Sequence, residues 1–136
     1  MTREIKFRLY CKKTEEMADW NSVKEAIDSN EFSVSDILEM VEDDAFSAPM
    51  QYTGLHDKNG REIYEGDIVH SKTLVNGFES IGQVIFRDAH FLFQAINSQF
   101  GSSGWVSDLG IVLKEYEVIG NIYENPDLLK EGKTHG

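Results

Sequence analysis

Apolar and polar residues alternate at the start of the chain: Ile5, Phe7 and Leu9 are interleaved with Lys6, Arg8 and Tyr10. That period of two predicts a half-buried strand. Cys11-Lys12-Lys13-Thr14 reads as a polar turn and Met17–Trp20 as a returning strand, giving an N-terminal hairpin. The period then lengthens. Ser22 followed by Glu25 has the form of a capping box, and Val23, Ala26 and Ile27 make a short helical stripe. Ser33 or Ser35 opens a second helix with Ile37, Leu38 and Val41 as its expected buried side. Helices of two or three turns need packing to persist. Glu42-Asp43-Asp44 sets negative charge against the C-terminal end of the dipole, so the second helix is expected to stop there, with a loop to Pro49.

From Met50 the pattern is β throughout. Asn59-Gly60 and Asn76-Gly77 are turn dipeptides, because both residue types tolerate positive φ. Glu65-Gly66-Asp67 is another bend, from which Ile68-Val69 starts a strand. Ile81–Phe86 and His90–Ile96 follow, then a glycine-containing loop over residues 100–105. Ser107-Asp108-Leu109 is expected to form one helical turn. Tyr116–Tyr123 is the last strand, stopped by Glu124-Asn125-Pro126 since proline cannot extend a ladder. About five short strands with such turns predict a small antiparallel barrel. The expected fold is α+β and mainly β: an N-terminal hairpin and two short acidic helices over 1–49, an SH3-like barrel over 50–130, and a frayed tail over 131–136. No internal repeat is visible in the sequence.

Several blocks carry a family resemblance. Ile5-Lys6-Phe7-Arg8, the stretch Met50–Val69, Gly82-Gln83-Val84-Ile85-Phe86 and Glu117–Pro126 closely resemble the YopX-like proteins of phages and prophages. The segment from Asn21 to Ala48 matches only in general character. The resemblance implies a C-terminal SH3-like barrel after a small α/β portion, and a gene carried by a phage or an integrated element. It supplies no catalytic residues.

Charge changes the picture more than composition does. The formal net charge is −11, and between Thr14 and Pro49 eleven acidic residues face one base, Lys24, for a local charge of −10. The rest of the chain is close to neutral. Such a face repels a polyanion and suits a protein partner with a basic surface. Cys11 is the single cysteine, so no intrachain disulfide forms and a reducing, cytoplasmic setting in a bacterial host is expected. No stretch has the length of a membrane span, so no membrane association is expected.

Candidate chemistry is sparse. Asp57-Lys58-Asn59-Gly60 has the look of a calcium loop, but the twelfth position from Asp57 is Ile68, where such a loop needs a bidentate Glu. A hairpin turn in which Asp57 and Asn59 bond the backbone is the better reading. His56, His70, His90 and His135 lack zinc-ligand spacing; His70 and His90 would need to converge beside Asp67 or Asp88 to hold a metal. Lys12 and Lys13 flank Cys11 and are expected to lower its pKa slightly, with no base placed to use the thiol. Residues 100–105 lack the lysine of a phosphate loop. Of Tyr52, Tyr64, Phe86, Phe91, Phe93 and Trp105, about two-thirds are expected inside, and the remainder could line a peptide groove.

The function expected on these grounds is a non-enzymatic accessory protein acting through protein–protein contact, with an acidic docking face and scope for homo-oligomers. No catalytic residue, metal or cofactor is assigned, and the binding residues are unknown. The alternative is nucleic-acid binding by the barrel with help from Lys72, Arg87 and Lys114, and an enzyme is the third reading.

Overall fold

The opening alternation folds as a strand, β1 (Phe7–Cys11), in the computed structural model, which describes residues 4–73, 77, 79–98, 106–109 and 114–129. The chain divides into two compact units, Met1–Tyr52 and Thr53–Gly136, so the division falls inside a strand, β3 (Met50–His56).

In the first unit β1 is central. On one side it pairs antiparallel with β2 (Glu16–Ala18), and on the other Phe7 faces Gln51 and Arg8 faces Met50 of β3. Residues 45–47 extend that second side. Lys12 N–H donates to the Ala45 carbonyl, Ser47 N–H to the Tyr10 carbonyl, and Tyr10 N–H to Ser47 Oγ at 3.0 Å. Ser47 is buried because its hydroxyl and backbone both serve this junction. The return strand ends at Ala18, earlier than expected. Asp19 takes an extended conformation and accepts a bond from Ser22 N–H, so it caps α1 (Trp20–Asp28) and draws Trp20 into the helix. The cap is therefore Asp19, because Ser22 lies within the first turn. Trp20 then meets Phe7 of β1, with ring centroids 6.5 Å apart.

The second helix, α2 (Val34–Glu42), begins at Ser33 with a full capping box: Asp36 N–H donates to Ser33 Oγ and Ser33 N–H to Asp36 Oδ2. Both helices end alike. Asn30 and Asp44 adopt left-handed φ of 62° and 65°, and the next residue's N–H reaches back to the carbonyl of Ala26 or Met40. This closes each helix in a Schellman motif. Asp19 and Ser33, Asn30 and Asp44, Phe32 and Phe46 stand in equivalent places. The helical segment is thus a tandem repeat with a 14-residue offset, read from the elements at Trp20–Asp28 and Val34–Glu42. It escapes the sequence because the equivalent caps differ in residue type and only Glu25/Glu39 and the Phe-Ser pair recur.

The second unit is built on a five-stranded antiparallel sheet in the order β8-β7-β6-β5-β9. After the short strand β4 (Glu62–Tyr64) come β5 (Asp67–Thr73), β6 (Glu79–Arg87), β7 (His90–Ser98), β8 (Val106–Asp108) and β9 (Lys114–Asn121). Val69, Val84, Phe93, Ala95, Tyr116 and Val118 form its core with Ile63 and Leu109. Gly82 is required at its place, since a Cβ there would strike the Phe93 ring at 2.7 Å. Residues 106–108 are a strand, where one helical turn was expected: Asp108, Ser107 and Val106 pair with Leu92, Phe93 and Gln94. Sheet pairing supplies the partners that a three-residue helical nucleus lacks. The last strand also ends sooner than expected. Asn121 Oδ1 accepts from the N–H groups of Tyr123 and Glu124, folding the chain back before Pro126, which opens a 3₁₀ turn over Pro126–Leu129. Gly120 is needed beside that turn, where a Cβ would lie 2.5 Å from Asn125 Oδ1.

The turn that follows β3 closes the outer edge of β9. Asp57 Oδ1 accepts from Asn59 N–H and Arg61 N–H, and Oδ2 accepts from Val118 N–H, each at 2.9 Å. Lys58 N–H donates to the Tyr116 carbonyl and Arg61 Nη1 to that of Val118. An edge strand left open is a template for unwanted pairing. Here the Tyr116 carbonyl and both backbone groups of Val118 are occupied.

Two outcomes are expected. Burial pushes the Asp57 carboxyl up, but the N–H groups of Val118, Arg61 and Asn59, with the Arg61 charge, outweigh it and hold the pKa below 3.8. The folded value being lower, the stabilisation is complete above about pH 4 and is lost as pH falls through the folded value. Asp57→Asn should cost about 2–3 kcal/mol at neutral pH in urea unfolding, and should flatten the loss of stability below about pH 4. At the β6–β7 turn, Asp88 and Ala89 both carry positive φ, 52° and 68°. A turn of this kind prefers Asn-Gly, so Asp88→Asn with Ala89→Gly should raise stability by about 1 kcal/mol in the same assay.

Candidate functional site

Each helix turns a stripe inward. Val23, Ala26 and Ile27 of α1 are half-buried, as are Ile37, Met40 and Val41 of α2. Leu38 was expected on the buried side but is 53% exposed, and Val34 is 58% exposed. The inward stripe of α2 is centred on Ile37, and at 100° per residue Leu38 falls about 100° away from it. Met40 takes the buried place instead.

The acids form a groove along α2. It has a volume of about 350 Å³ and is lined by Glu31, Phe32, Asp36, Glu39, Met40 and Asp43. Half-buried Phe32 and Met40 give it an apolar part, and the four carboxylates are exposed. Asp36 is held by its cap and Asp44, further along, pairs with Lys12. Among the described residues Glu31, Glu39, Glu42 and Asp43 enter no ion pair. The matching hollow on α1 contains Lys24 beside Glu25 and Asp28, so its field is partly cancelled. The sequence showed the acidity of this segment; the apolar Phe32 and Met40 came from the caps that turn the chain at Asn30 and Asp44. The repeated Phe-Ser pair was the available signal.

In the second unit the histidines do not converge. His70 lies across from Ile81, which lies across from Asn97, and His90 is seven residues back along β7, about 23 Å at strand rise. His70 Nε2 is 3.0 Å from Glu79 Oε1, and His90 Nε2 is 4.0 Å from Asp108 Oδ1. Asp67 is buried and accepts from Tyr64 N–H, and Asp88 sits in the exposed β6–β7 turn. No group of three or more potential metal ligands occurs among the described residues. Asp57 acts as the hairpin reading requires, its carboxylate being committed to backbone N–H groups, whereas the Asn59 amide donates to the Glu117 side chain and not to the backbone.

Cys11 is half-buried, and its thiol is lowered by the Thr14 hydroxyl, then by backbone groups of Thr14 and Lys13. Hydrogen bonds do this where lysine charges were expected to. Lys72 faces Glu79 at one end of β6 and Arg87 stands at the other end, about 26 Å away, so they form no common patch. Tyr52, Tyr64 and Phe93 are buried, Phe91 is half-buried, and Phe86 is half exposed with its ring 5.0 Å from that of Phe91. Trp105, His135, the loop at 100–105, the side chain of Lys114 and the tail over 131–136 lie outside the described residues. Among the described residues no helix is long and apolar enough to cross a membrane.

These features define a mainly β, α+β protein with two short acidic helices beside antiparallel strands. The chain belongs to the YopX protein family, whose model matches residues 6–130. It is also similar to a solved structure, the crystal structure of protein EF1440 from Enterococcus faecalis, at 25% identity and a TM-score of 0.56, covering 95% of this chain and 100% of that one. None of the curated proteins compared matches the chain.

The Tyr116 hydroxyl is buried. Burial raises its pKa to about 12, with the Asp108 charge adding to the rise and the Ser107 hydroxyl opposing it. The folded value exceeds the unfolded one, so the contribution is complete below about pH 10 and is lost as pH rises toward the folded value. Tyr116→Phe should therefore leave neutral-pH stability within about 1 kcal/mol and remove this alkaline loss, followed by phenolate absorbance and urea unfolding.

Proposed function

We propose that this protein is a non-enzymatic accessory protein of a phage or prophage, acting in the bacterial cytoplasm through contact with a protein that carries a basic surface. The groove on α2 is the docking face. One observation carries the reading: Phe32 and Met40 lie among Glu31, Asp36, Glu39 and Asp43 in a groove of about 350 Å³. A lysine or arginine side chain combines an aliphatic stem with a charged head, and such a groove accommodates both parts. The unit from Thr53 onward is the scaffold, read as an SH3-like barrel. Support for closure comes from burial on both sheet faces, with Ile68 and Leu92 on one and Val69 and Phe93 on the other. The carboxylates of Asp57 and Asp67 are used in turns, which favours a binding role over a catalytic one.

Affinity capture from a bacterial host lysate, with the wild-type chain and a Glu39→Lys/Asp43→Lys variant side by side, tests the reading. Proteins retained by the wild type should be basic, should elute as salt rises to about 0.5 M, and should be lost with the variant. Retention unchanged by charge reversal would remove the proposal. A gel shift of single-stranded DNA or RNA at micromolar protein would replace it with nucleic-acid binding.

A further inference from the structure

We infer that the outer edge of α2, the ridge made by Val34 and Leu38, is where a basic amphipathic segment of the partner protein seats its apolar side. This rests on the acidic docking reading and places the apolar contact at the far edge of the same exposed face, separated by Glu42 from the groove, which begins at Glu39.

The tandem repeat supplies the first argument. Val34 and Leu38 are equivalent to Trp20 and Lys24 of α1. Helix α1 forms with a lysine at the second of these places, as suits a solvated position. Leu38 is therefore not required for a helix of this kind to form, and its 53% exposure, beside 58% for Val34, shows that the core does not use it. The inward stripe is already supplied by Ile37, Met40 and Val41.

The second argument is geometric. Residues four apart lie one above the other on a helix, so Val34 and Leu38 make a continuous ridge. Proceeding around the exposed side from Leu38, the helix presents Glu42, Ser35, Glu39 and Asp36 in turn. One edge of the surface is apolar and the remainder is anionic. A partner helix complementary to it carries apolar residues at i and i+4 flanked by lysine or arginine.

Charge selects the occupant. No lysine or arginine occurs between Lys24 and Pro49, while that span contains Glu25, Asp28, Glu31, Asp36, Glu39, Glu42, Asp43 and Asp44. A second copy placed ridge to ridge would bring like charges together, which opposes self-association through this face. A basic segment meets no such penalty.

The full chain can be titrated by fluorescence anisotropy with two labelled synthetic peptides of about 18 residues, each made of lysine and leucine in the same proportions. In one the leucines lie on a single helical face; in the other they are spread around the helix. At about 50 mM salt the amphipathic peptide should bind at least about tenfold tighter than its redistributed counterpart. Val34→Ser/Leu38→Gln, and separately Leu38→Lys, which copies the α1 residue, should erase that preference with far-UV circular dichroism unchanged. Glu39→Gln/Glu42→Gln should weaken both peptides and flatten their salt dependence. Equal binding of the two peptides, or a preference that survives both ridge variants, overturns the ridge while leaving acidic docking intact. Failure of both peptides to bind overturns acidic docking itself, and the ridge with it.

Discussion

One carboxylate organises the second unit. Asp57 leaves β3 buried, collects the N–H groups of Asn59 and Arg61 into a turn, and takes the Val118 N–H from the outer edge of β9. Backbone N–H groups are obligatory donors, and a charged acceptor binds them more strongly than a neutral one. The same contact therefore folds a local turn and anchors a strand far away in sequence. Val118 and Tyr116 of that strand belong to the core around Phe93, so the placement of β9 and the packing of the core follow from it.

The first unit uses the same kind of chemistry on a smaller scale. Asp19 and Ser33 start the helices, Asn30 and Asp44 end them, and Ser47 returns the chain to β1. Short helices have little intrinsic stability, so caps at both ends matter more here than propensity. Because the caps hold the helices, the outward faces are released from packing duty and can carry a dense negative charge. That division of labour connects the local structure to the docking role proposed for α2.

Within the YopX family match over residues 6–130, the most recognisable blocks turn out to be structural. The stretch Met50–Val69 contains the Asp57 turn and the Asp67 bend, and the ending at Asn121–Pro126 contains the Asn121 turn. Their side chains are spent on backbone groups of their own unit. The surface proposed for a partner lies elsewhere, on residues whose identity the fold does not demand, of which Leu38 is the clearest case.

What the sequence by itself determined is local. The alternation at Phe7–Tyr10 (Ile5 before it is outside the strand and exposed), the inward helical residues, the Ser33 cap, the Asn59-Gly60 turn and the regional acidity are all short-range patterns, and each appears where its residues stand. Tertiary structure decided everything that depends on pairing across distance. Residues 106–108 became a strand because β7 offered a partner, His70 and His90 were parted by the register of β5, β6 and β7, and Leu38 was left in solvent because the inward stripe centred on Ile37. A hydrogen-bond partner that lies sixty residues away leaves no periodic trace near the residue it serves, as Asp57 and Val118 illustrate.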